Sequence, residues 1–409
     1  MLTPYRRVLA LPGALAFSAS GLVARLPISM VTLGIVLLVS ARSGSYSLAG
    51  SVAAAYMIAN AAFAVLQGRL VDRLGQSRVL PWTILVFTVA LSLLTWSVEA
   101  GWPTPLPHVF AVVAGSSLPQ IGSCVRARWS RLVPDRDQLN TAFSFEAVVD
   151  ETVFMVGPTL VTVLATVWHP VAGLATAGLA GLVGTLLLAA QRSTEPPPHR
   201  PAHRHHPRVP MGWWVLGPLV VSAFTMGVLF GGAEVATVAF AEEAGSRTAA
   251  GPLLAAWALG SLLAGFVVGV VRWRASNATR FRWSMLALAM SLVPLPFVES
   301  IAVMAVVLFL AGFTISPTLI ASVAWVEETV PGPRLTEGIA VLTTGMYAGL
   351  APGAAIVGVA VDRYGASASY WVAVASVTLG SAAAFGTLLL PTEPVRVTVE
   401  EPSPSESSA

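Results

Sequence analysis

Long apolar runs separated by short polar ones dominate this chain. A helix needs about 20 apolar residues to cross roughly 30 Å of hydrocarbon. Twelve such runs lie near residues 18–40, 46–67, 79–98, 106–127, 139–166, 170–190, 213–240, 248–271, 282–298, 301–325, 335–360 and 366–390. The ninth is short and carries Pro294 and Pro296, which makes it the weakest of the set. The pattern predicts an all-α membrane protein with twelve transmembrane helices. Residues 4–17, with Arg6, Arg7, Pro12 and Gly13, read as an interfacial helix leading into the first span. They also imitate a secretory signal, but eleven further apolar runs follow, so the stretch is expected to be retained.

The polar positions set the orientation. All 23 basic residues are Arg. With the N-terminus in the cytoplasm, nineteen lie at cytoplasmic ends and loops, Arg42, Arg247 and Arg363 lie outside, and Arg25 falls within a span. This is the positive-inside bias; one span missed or invented would scatter the arginines over both sides. Both termini are therefore expected in the cytoplasm, in a bacterial inner membrane. Residues 191–211, rich in Pro, His and Arg, form a polar linker between a bundle over 1–190 and another over 212–390. The tail over 391–409, rich in Ser, Pro and Glu, has the composition of a disordered segment. His199, His203, His205 and His206 lie among prolines without fixed geometry, which favours a solvated loop over a metal site.

The halves echo one another. Span five reads Leu139-Asn140-Thr141-Ala142 and later Gly157-Pro158; span eleven reads Leu335-Thr336-Glu337-Gly338 and later Pro352-Gly353. Landmarks offset by 196 and 194 residues fit a duplicated six-helix unit, hence two pseudo-symmetric six-helix bundles. Composition agrees. Only 11% of residues are charged and mean hydropathy is +0.75, against about 25% charged in soluble domains. The single cysteine, Cys124, excludes an internal disulfide.

Between spans two and three runs Gly68-Arg69-Leu70-Val71-Asp72-Arg73-Leu74-Gly75-Gln76-Ser77-Arg78-Val79-Leu80. Gly68 and Gly75 permit close helix approach and a tight turn, and Asp72 can face the positive end of a helix. The segment resembles the signature loop of the major facilitator superfamily, Gly-x-Leu-x-Asp-Arg-x-Gly followed by basic residues and a Leu. The resemblance implies a carrier in which Asp72, paired with Arg73 or Arg78, meets the start of span eleven and holds the cytoplasmic side closed. Gln76 and Ser77 depart from the family's basic residues, with Arg78 the nearby substitute. The matching loop of the second half, from Arg272 to Arg282, lacks the Asp and the paired glycines and reads as a topological marker. Gly157-Pro158 resembles part of the antiporter motif of the superfamily's drug-exporting branch. Val153, Leu160 and Val161 stand where that motif has glycines, and span four lacks its mid-span Arg.

Ionisable groups inside a membrane cost roughly 2.5–3.5 kcal/mol or more each, so they mark partners or wet cavities. Arg25 and Glu146 lie about seven residues from the same ends of spans one and five, hence at one depth. Glu146 and Asp150 are spaced i, i+4 and share a face; Glu151 is turned away by about 100°. Spans one and five are neighbours in the superfamily, so Arg25, Glu146 and Asp150 are expected to form a polar cluster, either a proton carrier or a structural tie. Arg126 is expected to snorkel. Glu234, near the outer end of span seven, is a further coupling candidate. Pro27, Pro119, Pro218, Pro317 and Pro352 are expected to kink their helices.

Other classes lack their marks. There is no Zn-type His pair on a helix, no phosphate loop with Lys, no Ser/His/Asp arrangement, and no loop long enough for a nucleotide domain. The expected protein is no enzyme and takes no cofactor, metal or nucleic acid. It is read as a monomer in lipid with a small-molecule substrate and protons as partners. By the resemblance, spans one, four, seven and ten line the cavity, which places Met30, Ser116, Gln120, Thr225, Met226 and Thr314 there beside Thr32 and Ser316. That mostly apolar set suggests proton-coupled efflux of an amphipathic compound. Nutrient uptake and a non-transporting sensor are the alternatives.

Overall fold

The computed structural model describes residues 3–198, 213–270, 274–330 and 335–389. The linker histidines and the 391–409 tail lie outside the described residues. Where hydrocarbon replaces water, a backbone must satisfy its own N–H and C=O groups, which selects helices. Fifteen helices run in order, and among the described residues there is no strand. They are α1 (Thr3–Leu9), α2 (Ala14–Ser43), α3 (Tyr46–Leu74), α4 (Gln76–Glu99), α5 (Pro105–Ser117), α6 (Ile121–Leu132), α7 (Arg136–Val163) and α8 (Ala172–Ala190). The second half holds α9 (Trp213–Glu243), α10 (Ala250–Val270), α11 (Asn277–Leu292), α12 (Ile301–Gly312), α13 (Ile315–Thr329), α14 (Leu335–Tyr364) and α15 (Ala366–Gly386).

Eleven stretches among the described residues are long and apolar enough to cross a membrane, counting α5–α6 and α12–α13 as one each. The twelfth span is α11, 16 residues long, about 24 Å. It stops before Pro294, and Leu295–Phe297 add one 3₁₀ turn. The architecture is twelve spans in two six-span bundles. The leading helix is shorter than 4–17: α1 ends at Leu9, and Ala14–Phe17 already belong to α2 beyond Gly13, whose φ of 82° turns the chain.

The prolines act unequally. Proline pushes its predecessor out of the helical region, and Leu118 before Pro119 is extended at φ −61°, ψ 118°. Span four is therefore cut into α5 and α6 rather than bent. Pro317 lies in the first turn of α13, where no helical N–H is lost. Helices α2, α9 and α14 continue through Pro27, Pro218 and Pro352.

Helices α2 and α9, spans one and seven, are the most buried, with 78% and 61% of their apolar windows inside the protein. They form the centres of the two bundles. Between α9 and α14 the backbones nearly touch. A methyl on Gly227 or Gly231 would strike the carbonyls of Met346 or Leu350, and one on Gly349 or Gly353 those of Phe224 or Val228. Small residues at four-residue spacing permit this approach without an aqueous driving force. Across the bundles, α3 packs on α14 and α7 on α10.

Candidate functional site

Helices α2, α6 and α7 bring four charges together. Arg25 Nη1 lies 2.6 Å from Glu146 Oε2 and 3.1 Å from Asp150 Oδ1. Arg126 Nη2 donates to Asp150 Oδ2 at 2.7 Å. Arg126 thus joins the cluster instead of snorkelling, because the break at Pro119 lets α6 lean its Arg toward α7. Glu146 is fully buried and also accepts from Ser18 Oγ and Trp129 Nε1, both at 2.8 Å on Oε1. The Arg25 contact to Glu146 lies outside hydrogen-bond geometry, and Arg25 Nε and Nη2 have no partner. Two cations and two carboxylates cancel, so the knot is neutral when all four are ionised. Tyr347, on α14 of the other bundle, is an electrostatic neighbour of Asp150 and Arg126.

The signature loop borders a cavity of about 680 Å³ on the face where the chain begins. Gln67, Gly68, Asp72, Arg73, Gln76, Gln120 and Ser123 line it, together with Pro196 and Pro197 at the start of the linker. Gly75 adopts φ 91° and ends α3. Asp72 makes no hydrogen bond or ion pair among the described residues, so the expected pairing with Arg73 or Arg78 is absent in this state. The departures at Gln76 and Ser77 have local partners. Gln76 donates to the Cys124 carbonyl at 3.0 Å and accepts from Arg128 Nε at 2.7 Å, while the Ser77 N–H donates to Glu195 Oε1 at 2.9 Å. Arg128, fully buried, also donates to Gln191 O, Thr194 Oγ1 and Leu188 O at 2.7, 2.8 and 3.0 Å. In the sequence Arg128 counts only toward topology; a Gln in place of a basic residue in the adjacent loop is the available signal for its role.

At the opposite face the halves are tied together. Asp362 accepts from the Tyr46 N–H at 2.8 Å, the Ser47 N–H at 2.6 Å and Ser45 Oγ at 3.0 Å. Tyr46 Oη donates to Glu242, and Arg247 donates to Ser40 Oγ and to the Leu37 carbonyl. Gly251 of α10 packs on Pro158 and Thr159 of α7. The halves close on each other here, and the cavity opens on the other face, where the first half and the linker line it.

The remaining candidates divide. Gln120 lines the cavity and donates to Asn60 Oδ1 at 3.0 Å. Met30, Thr225, Met226, Thr32 and Ser316 are buried in bundle packing and do not line it. Ser116 and Thr314 are half-buried; the Ser116 carbonyl accepts from Gln67 at 2.6 Å, and Thr314 meets Ser291. Glu234 stands apart from the four-charge knot, nine residues from the end of α9. It has no cation among the described residues, and its Oε2 is buried without a partner. Tyr56 of α3 lies at matching depth as its electrostatic neighbour, its hydroxyl also unpartnered.

Two six-span bundles tied together at one membrane face, with a cavity beside the signature loop at the other, have the architecture of a polytopic carrier. The sequence model of the Major Facilitator Superfamily matches residues 15–300 and 219–408, and the chain belongs to that superfamily. It is an integral membrane transporter, not an enzyme. No curated protein matches the sequence. Among solved structures, the chain resembles a point mutant of the nucleoside transporter NupG with TM-score 0.72 at 12% identity, covering 91% of this chain and 99% of that one. The POT family transporter PepTSo superimposes with TM-score 0.70 at 10% identity, covering 92% and 98%. A bacterial homologue of the iron transporter ferroportin, in an inward-facing state, gives TM-score 0.67 at 16% identity, covering 91% and 98%. At such identities the likeness concerns the fold.

Proposed function

We propose that this transporter moves a small amphipathic compound out of a bacterial cell by alternating access, in exchange for protons. The halves over 1–190 and 212–390 would rock about the substrate in the inner membrane, with both termini and the 191–211 linker in the cytoplasm. The open face is then cytoplasmic. Glu234 carries this reading: it is a membrane-embedded carboxylate without a cation among the described residues, placed where the bundles meet. A group so placed gains a proton at low energetic cost and exchanges it as access alternates. Glu146 is the weaker carrier, because Arg25, Ser18 and Trp129 already occupy its carboxylate oxygens. A second reading, uptake of a polar nutrient, draws on the amide-rich wall formed by Gln67, Gln76 and Gln120.

The direction is tested by expression in an efflux-deficient host against a panel of amphipathic dyes and limiting nutrients. Resistance and dye extrusion support export; rescue on one nutrient supports uptake. For the substrate so found, Glu234→Gln should abolish accumulation driven by a proton gradient in proteoliposomes and spare counterflow exchange. Unchanged gradient dependence would remove Glu234 from the coupling step.

A further inference from the structure

The signature octet recurs with Ala360 in place of its Leu. Gly358-Val359-Ala360-Val361-Asp362-Arg363-Tyr364-Gly365 repeats the pattern of Gly68-Arg69-Leu70-Val71-Asp72-Arg73-Leu74-Gly75, with Gly first and last and Val-Asp-Arg between. The backbones agree as well. Gly75 ends α3 at φ 91°, ψ 151°, and Gly365 ends α14 at φ 84°, ψ 169°. Each glycine N–H bonds the carbonyl of the Val before the Asp, at 2.8 Å from Gly75 to Val71 and 2.9 Å from Gly365 to Val361.

Surroundings separate the two copies. Helices α3 and α14 run antiparallel and pack on each other, so each octet ends one helix on the face where the other begins. On the sealed face a methyl on Gly358 would lie 2.5 Å from the Tyr46 carbonyl, and Asp362 holds the first amides of α3. On the open face nothing lies within 4 Å of such a methyl on Gly68, and Asp72 is without a hydrogen-bond partner among the described residues.

We propose that Asp362 is a positioning residue that latches the opposite face shut. The two octets would engage alternately: Asp362 with the start of α3 in this state, Asp72 with the start of α14 in the other. This rests on the alternating-access reading above. The Asp72 contact is what the family resemblance implies; the Asp362 latch is the addition. The first amides of a helix lack intrahelical partners and carry partial positive charge, so a carboxylate there binds by charge and hydrogen bond together. Asp362 is exposed, and Ser45, Tyr46 and Ser47 are partly exposed. Water can therefore take over both sides when the seam parts, which keeps the latch reversible.

Spin-label pairs at Thr104 and Ser300 (opposite face) and at Ser130 and Ala275 (signature-loop face), in a Cys124→Ser background in lipid nanodiscs, report both faces by electron–electron distance measurement. Asp362→Asn should raise the ratio of open to closed opposite face about five- to tenfold, the loss of one charged cap, and shorten the other pair. Asp72→Asn should do the reverse, and the double variant should return toward the wild-type ratio. Gly358→Ala, which wedges a methyl against Tyr46, should open the same seam and serves where Asp362→Asn does not accumulate. The latch is overturned if Asp72→Asn moves the distances while Asp362→Asn and Gly358→Ala leave them unchanged, or if both Asp variants move them the same way. If no variant moves either pair, the latch and the alternating-access reading fall together.

Discussion

Removing Arg25 tests the four-charge knot most directly. Arg25 is 4% exposed and Glu146 not at all, so Arg25→Met leaves a buried carboxylate held only by Ser18 and Trp129. Two unit charges about 4 Å apart attract by about 4 kcal/mol at an effective dielectric of 20, and breaking a buried pair from one side typically costs 3–5 kcal/mol. Glu146→Gln preserves an acceptor for Ser18 and Trp129 while deleting the charge, and Asp150, 3.1 Å from Arg25, is left to serve both Arg25 and Arg126, of which Arg126 is 41% exposed and solvated in part. It should therefore cost less, roughly 2 kcal/mol. The double variant buries no unbalanced charge in the pair and should be no worse than Arg25→Met alone. Thermal unfolding in detergent, followed by fluorescence-detected gel filtration, ranks all four proteins. The expected order of melting temperatures is wild type, Glu146→Gln, then Arg25→Met, with a coupling of about 2–4 kcal/mol between the sites. Additive effects within about 0.5 kcal/mol would refute the argument, as would a harmless Arg25→Met.

Arg128 should tolerate neither Ala nor Lys. Its donors reach four acceptors in different directions, and a single ammonium cannot reproduce that fork; both variants should melt earlier, and a Lys variant equal to wild type would contradict this. Gly231→Ala should destabilise the second bundle by about 1–3 kcal/mol through overpacking against Leu350, whereas Gly68→Ala, which meets open space here, should melt like wild type and lose transport. Equal melting temperatures for the two Gly variants would refute the contrast.

How much can be read from the chain depends on which interactions report in one dimension. Spans announce themselves because crossing lipid demands some twenty apolar residues, and the family follows from one octet in one loop. The depth of Arg25 against Glu146 is also legible, since helix rise converts residue counts into height. Azimuth is not. Span number places Met30, Thr225 and Met226 in the cavity, yet in helices apolar on every side no periodicity distinguishes the bundle interior from the cavity wall. Arg126 meeting Asp150 depends on how α6 leans after the Leu118–Gln120 break, and Pro119 signals a bend without its direction. Arg128 resembles its neighbours in sequence because an arginine at a span end satisfies the positive-inside bias whether it faces water or four carbonyl, amide and hydroxyl acceptors.

The distribution of charge between and within the bundles follows from what a rocking carrier requires. Within the first bundle, Arg25, Glu146 and Arg128 are at most 4% exposed, where effective dielectric is low and pairing is strong. Between bundles the polar contacts are wet. Glu242, which accepts from Tyr46 across the seam, has 47% of its side chain exposed, and Asp362 also faces solvent. Shifting a two-state equilibrium from 1:99 to 99:1 takes about 5.5 kcal/mol, within reach of a proton and a substrate together only if the seams oppose it weakly. A buried pair across the seam would cost several kcal/mol per ion to break and would fix the molecule in one state. Ser40→Asp, which sets a buried carboxylate against Arg247 across the sealed seam, should therefore stall transport with the signature-loop face open. Faster transport in that variant, measured as substrate counterflow, would contradict this division of strong contacts within bundles and weak ones between them.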